Sequence, residues 1–202
     1  MVKITGNQKD GNLIMNHKEM LVLLNEKICK CEKCPELVAN RTQTVLDSGN
    51  PDAKILMLAE APGEDEDKQG EVLIGRAGQL LTNIIKACGW DRTKDIYLCN
   101  ILKCRPPSNR KPTLEEASNC DPFLKLQLKI VNPKIIICLG ATAANNLLKT
   151  DTSIGQLRGR WFKYENADVI CTYHPSYALR QSSAKMNIYD DFQLVIEKIK
   201  SL

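Results

Sequence analysis

Three polar side chains come at or directly after apolar, strand-like runs in this 202-residue sequence, and each is of a type that takes part in catalysis. Glu60 ends the run AKILMLAE, Asn100 ends DIYLCN, and His174 ends DVICTYH. A carboxylate, an amide and an imidazole can hold or transfer protons and can hydrogen-bond a ligand. Because the carboxyl ends of parallel strands meet at one edge of a sheet, we expect the three to line one site. The alternative is that each residue satisfies local backbone groups where a loop begins.

Nine cysteines are an unusual number for a chain of this length. Cys31 and Cys34 form a C-x2-C pair, and Cys104 and Cys120 follow at wider spacing. This pattern alone is a weak indication of metal binding, because zinc ribbons carry two C-x2-C pairs, and Cys29 leaves a spare thiol. The odd count and the lack of an apolar signal core favour reduced thiols in a cytoplasmic protein. The remaining cysteines lie in or beside apolar runs and are predicted to be small core residues: Cys88, Cys99, Cys138 and Cys171.

The loop after the first apolar run reads APGEDEDKQGEVLIGRAGQLL and is rich in glycine. It contains neither G-x-x-x-x-G-K-[ST] nor G-x-G-x-x-G, which disfavours nucleoside triphosphates and dinucleotides as ligands. Pro62-Gly63 predicts a tight turn. We interpret most of the acidic run 64–67 as a solvated loop near the start of a helix.

Four short, nearly continuous apolar runs predict strands that are covered on both faces, as in a parallel sheet: 53–60, 95–100, 134–140 and 168–174. Helical patterns alternate with them at 78–87, from Thr113 onward, at 141–148 and at 190–199. Thr113 and Glu116 predict a capping box, and Pro122 predicts a break or kink in that helix. The order indicates an α/β fold, a three-layer α/β/α sandwich around a mainly parallel four-stranded sheet. We expect one domain over 1–202, with 1–12 a flexible leader.

The net charge of +4 permits nucleic-acid binding but does not by itself argue for it. Basic residues cluster around Cys104 and include Arg105, Arg110 and Lys111. They could follow a phosphate backbone, although composition alone favours a solvated loop. No apolar stretch approaches 18 residues, so we expect no membrane-spanning helix.

Three segments together resemble the family 4 uracil-DNA glycosylases, the iron–sulfur type: AEAPGEDED…GEVLIGRAGQLL, CNILKCRPPSNRKP and HPSYALR. The resemblance runs in order from about Cys31 to the C-terminal helix. It implies a monomeric, cytoplasmic, nucleoid-associated DNA-repair enzyme that flips uracil out of single- or double-stranded DNA. Hydrolysis of the N-glycosidic bond then leaves an abasic site for base excision repair. The sequence carries no signal that selects a protein partner such as a sliding clamp or a polymerase.

The resemblance also assigns roles to residues of this chain. A [4Fe-4S] cluster would be bound by Cys31, Cys34, Cys104 and Cys120, with Cys29 left over. The flipped uracil would lie among Glu60, Ala61, Pro62, Gly63, Leu73, Asn100 and His174. Asn100 would read the base edge, and His174 would donate a hydrogen bond to a carbonyl oxygen. The DNA itself would be contacted by Arg105, Arg110, Lys111, Leu179 and Arg180.

Ala61 stands where family 1 enzymes have an aspartate that positions water, so backbone groups, Glu60 or Glu66 must take that role. Two positions depart from the family 4 pattern. Ala59 precedes Glu60 where the family usually has glycine, which is a mild change. Leu73 stands where a phenylalanine is expected to stack on uracil, and such stacking is worth about 1–3 kcal/mol per base. Two alternatives follow: a non-catalytic iron–sulfur DNA-binding module, or a glycosylase for another deaminated base such as hypoxanthine or xanthine.

Overall fold

The computed structural model describes residues 15–202, and the predicted leader at 1–12 lies outside them. The described part of the chain contains one sheet, whose strands are β1 Ser48–Gly49, β2 Ile55–Ala59, β3 Ile96–Asn100, β4 Ile135–Leu139, β5 Trp161–Tyr164 and β6 Ala167–Thr172. The helices are α1 His17–Cys29, α2 Pro35–Asn40, α3 Glu64–Gln69, α4 Arg76–Ala87, α5 Leu114–Val131, α6 Ala141–Leu148, α7 Ile154–Leu157, α8 Pro175–Arg180 and α9 Ala184–Ile199, with a 3-10 turn at Pro107–Asn109.

The sheet has the strand order β1-β3-β2-β4-β6-β5, and its four central strands are parallel. These four are the predicted strands, but the prediction of a four-stranded sheet was wrong. Two antiparallel strands, β1 and β5, close its edges. The sequence gives little sign of them, because β1 is only two residues long and β5 is half-exposed rather than continuously apolar.

Helices cover both faces of the sheet, so the α/β/α sandwich is confirmed. Leu56 and Leu58 of β2 pack in a core with residues of α1, α5 and α6. Ile55, Met57 and Ala59 of the same strand pack in a second core with residues of α4, α8 and α9. Successive strand residues point to opposite faces, so a strand buried on both sides must be apolar throughout.

The start of α5 follows the prediction, and its interior does not. The Thr113 hydroxyl accepts a hydrogen bond from the Glu116 N–H at 3.1 Å, and the Glu116 carboxylate accepts one from the Thr113 N–H at 2.8 Å. The helix nevertheless continues through Pro122 to Val131, so the break was wrong and a kink at Pro122 stays a prediction. A proline inside a helix costs about 3 kcal/mol. Burial of the later residues Leu124 and Leu128 against the sheet offsets that cost.

Among the described residues, no helix combines the length and the apolar character that crossing a bilayer requires.

Candidate active site

A cavity of about 710 Å³ lies at the carboxyl edge of the parallel strands. Glu60, Asn100 and His174, which follow or end β2, β3 and β6, all line it. The structure therefore brings together the three side chains that the strand pattern singled out.

Most of the other residues predicted for the site also line this cavity: Ala61, Pro62, Gly63, Glu66, Leu73, Arg110, Lys111 and Arg180. Arg105 and Leu179 are not part of the lining. The Arg105 Nε donates a hydrogen bond to Asn109 Oδ1 at 2.8 Å, and Asn109 belongs to the cavity wall. Leu179 is 41% exposed and precedes Arg180 on α8.

Two aromatic residues of the wall were missed by sequence reasoning. Tyr173 and Tyr177 flank His174 in the segment YHPSY and line the cavity. Their ring centroids are 5.0 Å apart at an interplanar angle of 38°. The only available signal was their position beside His174, because an isolated tyrosine in an apolar run is usually part of a core.

The hydrogen bonds of His174 determine which nitrogen faces a ligand. His174 is the N-cap of α8, and its Nδ1 accepts the Ser176 N–H at 3.1 Å. The Ser176 hydroxyl oxygen lies 2.8 Å from the same nitrogen. A nitrogen that accepts an N–H carries no proton of its own, so the proton of the neutral ring is on Nε2. The ring therefore offers one N–H donor.

The environment of His174 keeps its ring neutral. The residue is half-buried, and removal of the ring from water lowers its pKa to about 4, with the positive charge of Arg180 acting in the same direction. Because the ordinary pKa of histidine is about 6.5, the imidazole is uncharged at neutral pH. A neutral imidazole can donate a hydrogen bond without transferring its proton.

We expect the His174 ring to show no titration between about pH 5.5 and 8. Between about pH 4 and 6.5 the unfolded chain binds a proton at this residue that the folded chain does not. The contribution of His174 to stability therefore falls as the pH drops through that window. Imidazole NMR of a His17→Gln variant provides the measurement, because His174 is then the one histidine left of the two in the chain. A midpoint near 6.5 would contradict the lowered pKa and thus the neutral ring.

Asn100 lines the cavity and carries a buried side-chain acceptor without a partner in the described part of the chain. Its side chain is buried, with the residue 2% exposed, and its Oδ1 has no hydrogen-bond partner among the described residues. A buried polar atom without a partner costs about 1–3 kcal/mol. A ligand that brings an N–H donor to this position would recover that energy.

The carboxylate of Glu66 ties together the two loops that border the cavity. One oxygen accepts the Ile74 and Gly75 N–H groups at 3.0 and 2.9 Å, and the other accepts the Gly63 N–H at 3.1 Å. Glu66 is thus fully used in holding the turn at Gly63 against the segment that carries Leu73.

The acidic run 64–67 forms most of α3, so the interpretation as a solvated loop was wrong for its buried half. Glu66 is 9% exposed, and Asp67 is 1% exposed. Both oxygens of Asp67 lie within 3.0 Å of the Thr42 N–H. Acidic residues in the first turn of a helix are favoured by its dipole, which accounts for their concentration here.

Leu73 is held at the cavity wall by an unusual backbone. Its φ is +53°, and its side chain is only 5% exposed, packed in the core beneath α4. A Cβ on Gly78 would lie 1.7 Å from the Leu73 carbonyl oxygen, so only glycine fits there. The Arg92 guanidinium donates to the Val72 carbonyl at 2.8 Å and anchors the preceding residue.

The four predicted metal-ligating cysteines line a second, smaller cavity: Cys31, Cys34, Cys104 and Cys120. Cys29 is exposed and is not part of it. Arg41 donates hydrogen bonds to Cys104 Sγ at 3.0 Å and to the Cys31 carbonyl at 2.9 Å. Within residues 15–202, no three potential ligands converge closely enough to hold a single metal ion. All four cysteines nevertheless line the same small cavity.

Comparison with known proteins shows similarity to uracil-DNA glycosylases. Residues 46–200 match the model of the uracil DNA glycosylase superfamily. A type-4 uracil-DNA glycosylase of Thermotoga maritima is 43% identical over 188 residues, which cover 91% of this chain and 95% of the relative. A type-4 uracil-DNA glycosylase of Archaeoglobus fulgidus is 38% identical over 85% of this chain and 89% of its own length. More distantly, a type-5 uracil-DNA glycosylase of Pyrobaculum aerophilum is 26% identical over 74% of this chain and 80% of its own.

Proposed function

The chain belongs to the uracil-DNA glycosylase superfamily, and we propose that it hydrolyses the N-glycosidic bond of uracil in DNA and leaves an abasic site. One observation carries this proposal: a single cavity combines the unpaired acceptor of Asn100 with the neutral N–H donor of His174. Uracil presents one N–H and two carbonyl oxygens, so its polar groups complement this pair. A base stacked within the duplex cannot reach groups that line a cavity of the enzyme, so the uracil must be flipped out to enter it.

We infer that Asn100 distinguishes uracil from cytosine. Its Oδ1 can accept the N3–H of uracil while its amide group donates to O4. Cytosine has an acceptor at N3 and a donor at N4, so both contacts would be mismatched. A site built around such hydrogen bonds rejects a base that cannot make them, because buried polar groups are left unpaired.

We propose that His174 stabilises the negative charge that develops on the departing base. As the glycosidic bond breaks, electrons move onto uracil and the sugar gains oxocarbenium character. The Nε2–H of His174 would donate to the carbonyl oxygen that gains charge, acting like an oxyanion hole. Because its Nδ1 is fixed by Ser176, the ring needs no reorganisation at the moment of reaction.

For the attacking water, we propose Glu60 together with the backbone at Ala61–Gly63. Ala61 provides no side-chain acceptor, and the carboxylate of Glu66 is occupied by three backbone N–H groups. Among the described residues, Glu60 is the other carboxylate that lines the cavity. The role of Glu66 is then to position the loops rather than the water.

We propose that DNA approaches across the loop after Cys104 and the end of α8. Lys111 is exposed at the cavity rim, as is Arg180, and both suit phosphate contacts. Arg110 pairs with Glu36 and Glu116 at 2.9 and 2.7 Å, so it braces this loop as well as facing the DNA. Arg105 supports the loop through Asn109. The exposed Leu179 is suited to fill the space that the flipped base leaves.

We propose that the second cavity holds a [4Fe-4S] cluster, bound by Cys31, Cys34, Cys104 and Cys120. All-cysteine ligation suits such a cluster, and N–H groups of Arg41 and Asn119 donate hydrogen bonds to the sulfur atoms of Cys104 and Cys34. When bound, the cluster supplies a cross-link between three segments of the chain. One of these segments continues from Cys104 into the loop proposed to contact DNA.

The ligand set predicts opposite results for two cysteine variants. Cys104→Ser should lose most of the bound iron and the brown colour, because one of four ligands is removed. Cys29→Ser is the matched control and should keep the iron content of the parent protein, since Cys29 lies outside the cavity. Iron and sulfide analysis after anaerobic purification measures both. Equal iron in the two variants would exclude this ligand set.

The proposed activity is tested by single turnover on a labelled oligonucleotide that contains one uracil. Anaerobically purified protein should produce alkali-sensitive strand scission at the uracil, with none in a matched oligonucleotide that contains cytosine. Tight binding without scission at uracil, hypoxanthine or xanthine would instead indicate a non-catalytic DNA-binding module. Scission at hypoxanthine or xanthine alone would indicate a different base preference.

Restoring an aromatic ring should strengthen uracil binding. In Leu73→Phe, free uracil should inhibit at about 10-fold lower concentration, because base–aromatic stacking exceeds the aliphatic contact by about 1–2 kcal/mol. Leu73→Met, which keeps a flexible aliphatic chain of similar volume, is the control and should change little. Unchanged or poorer uracil binding and excision in Leu73→Phe would contradict a stacking role for this position.

A further inference from the structure

A fully buried ion pair lies beside the residue proposed to read the base. The Lys103 ammonium lies 3.0 and 3.1 Å from the two oxygens of Asp47. The Lys103 and Asp47 side chains are only 2% and 1% exposed. Lysine and aspartate are almost never this buried unless they are paired. Each of the two side chains therefore has the other as its charge partner in the interior.

The pair is not explained by stability alone. The cost of removing two charges from water offsets most of their attraction, and apolar residues of similar volume often replace buried pairs without loss of stability. A buried charged pair does, however, fix the geometry of whatever it contacts, because breaking any of its hydrogen bonds leaves a charge uncompensated.

The third contact of the ammonium is with the active site. Lys103 Nζ donates to the main-chain carbonyl of Asn100 at 2.7 Å. The segment between these two residues is also tied to the end of β2, because the Ile101 and Leu102 N–H groups donate to the carbonyls of Ala59 and Glu60 at 2.9 and 3.1 Å. Hydrogen bonds therefore hold the main-chain carbonyl of Asn100 and the two residues that follow it, while its side-chain Oδ1 has no partner among the described residues.

We propose that Lys103, held by Asp47, is a positioning residue that fixes the backbone of Asn100 and thereby aims its amide at the flipped base. This inference rests on the proposed function, because it assumes that Asn100 reads uracil. It extends the site to a residue that has no access to the ligand. Small misplacements of a positioned group can cost about 10²-fold in rate, so loss of this contact should affect catalysis more than folding.

The test removes both charges together. In the double variant Asp47→Leu/Lys103→Met, no buried charge is left unpaired, whereas Lys103→Met alone would leave Asp47 buried without its partner. We expect the double variant to keep its melting temperature and iron content. We expect kcat/KM for uracil excision to fall by about 10–10²-fold, with weaker inhibition by free uracil. A purely structural pair would not change uracil affinity in a folded protein.

The matched control is Lys198→Met. Lys198 pairs with Asp168 at 2.9 Å, at the start of β6 and thus at the opposite edge of the sheet from the cavity. This variant should keep parental excision and parental uracil affinity.

The outcomes separate this inference from the proposed function. If the parent protein excises uracil and the folded double variant matches it in both rate and uracil affinity, the positioning role is wrong. If the parent protein neither excises uracil nor binds it, the proposed function fails first. Should the double variant not fold, Lys103→Arg keeps a cation beside Asp47 but alters the hydrogen bond to the Asn100 carbonyl. It should show a smaller loss in the same direction, and parental behaviour there would overturn the inference.

Discussion

His174→Ala is expected to lower the single-turnover rate of uracil excision by about 10²–10³-fold, the cost of removing one oxyanion-hole donor. The neutral ring, with its proton on Nε2, is the donor that the cavity offers to the departing base. The loss should appear in the chemical step, because the donated hydrogen bond strengthens as charge develops on uracil. Substrate binding should change less. Rapid-quench measurement at saturating enzyme separates the two effects.

A second substitution separates this chemical role from the capping role of His174. The residue caps α8, so alanine also removes an N-cap, worth about 0.5–2 kcal/mol of stability. His174→Asn retains a capping acceptor but is too short to replace the ring as donor. It should keep the stability of the parent protein and lose activity as alanine does. Parental excision rates in a folded His174→Ala would exclude the proposed role.

Asn100→Ala is expected to lower kcat/KM for uracil excision by about 10²–10³-fold, because two base contacts are lost and the base groups are left unpaired. Inhibition by free uracil should weaken in parallel. Folding should not suffer, since Oδ1 has no partner among the described residues and its removal relieves an unpaired buried acceptor. A melting temperature at or above that of the parent, combined with lost activity, is the expected pattern.

Asn100→Asp is the control that keeps the size of the side chain and changes its hydrogen bonding and charge. The carboxylate has nearly the same volume and can accept the N3–H, but it cannot donate to O4 and it repels the anion that forms. It should therefore be at least as impaired as Asn100→Ala. Excision at the parental rate by Asn100→Ala would show that the cavity reads the base through other groups.

Much of the fold could be predicted because its central strands are buried on both faces. That burial requires continuous apolar runs, and such runs are visible in a single sequence. The two edge strands can be recognised only from the strands with which they pair. β1 is two residues long and pairs with Tyr97 and Leu98 of β3. β5 is half-exposed and therefore lacks a continuous apolar run. The helix break predicted at Pro122 does not occur, because tertiary packing of α5 outweighs the local preference of proline.

The residues of the candidate site that stand at strand ends could be predicted to line one cavity. The residues whose contacts are distant in sequence could not. Glu60, Asn100 and His174 were identifiable by position alone. The partnership of Lys103 with Asp47 spans 56 residues and depends on how β1 meets the end of β3. Likewise, an acidic run gives no sign that Glu66 will bind the N–H groups of a loop eight and nine residues further on.

The backbone around Leu73 has a consequence for changing the base range of the enzyme. Its φ is positive, a Cβ on Gly78 would collide with its carbonyl oxygen, and Arg92 donates a hydrogen bond to the carbonyl of Val72. Leu73 packs in the core and also lines the cavity, so a replacement side chain must keep the core contact or extend into the cavity. Methionine keeps the core volume, an aromatic ring has to extend into the cavity, and valine and isoleucine are disfavoured by the positive φ. Gly78 must stay glycine in every such variant.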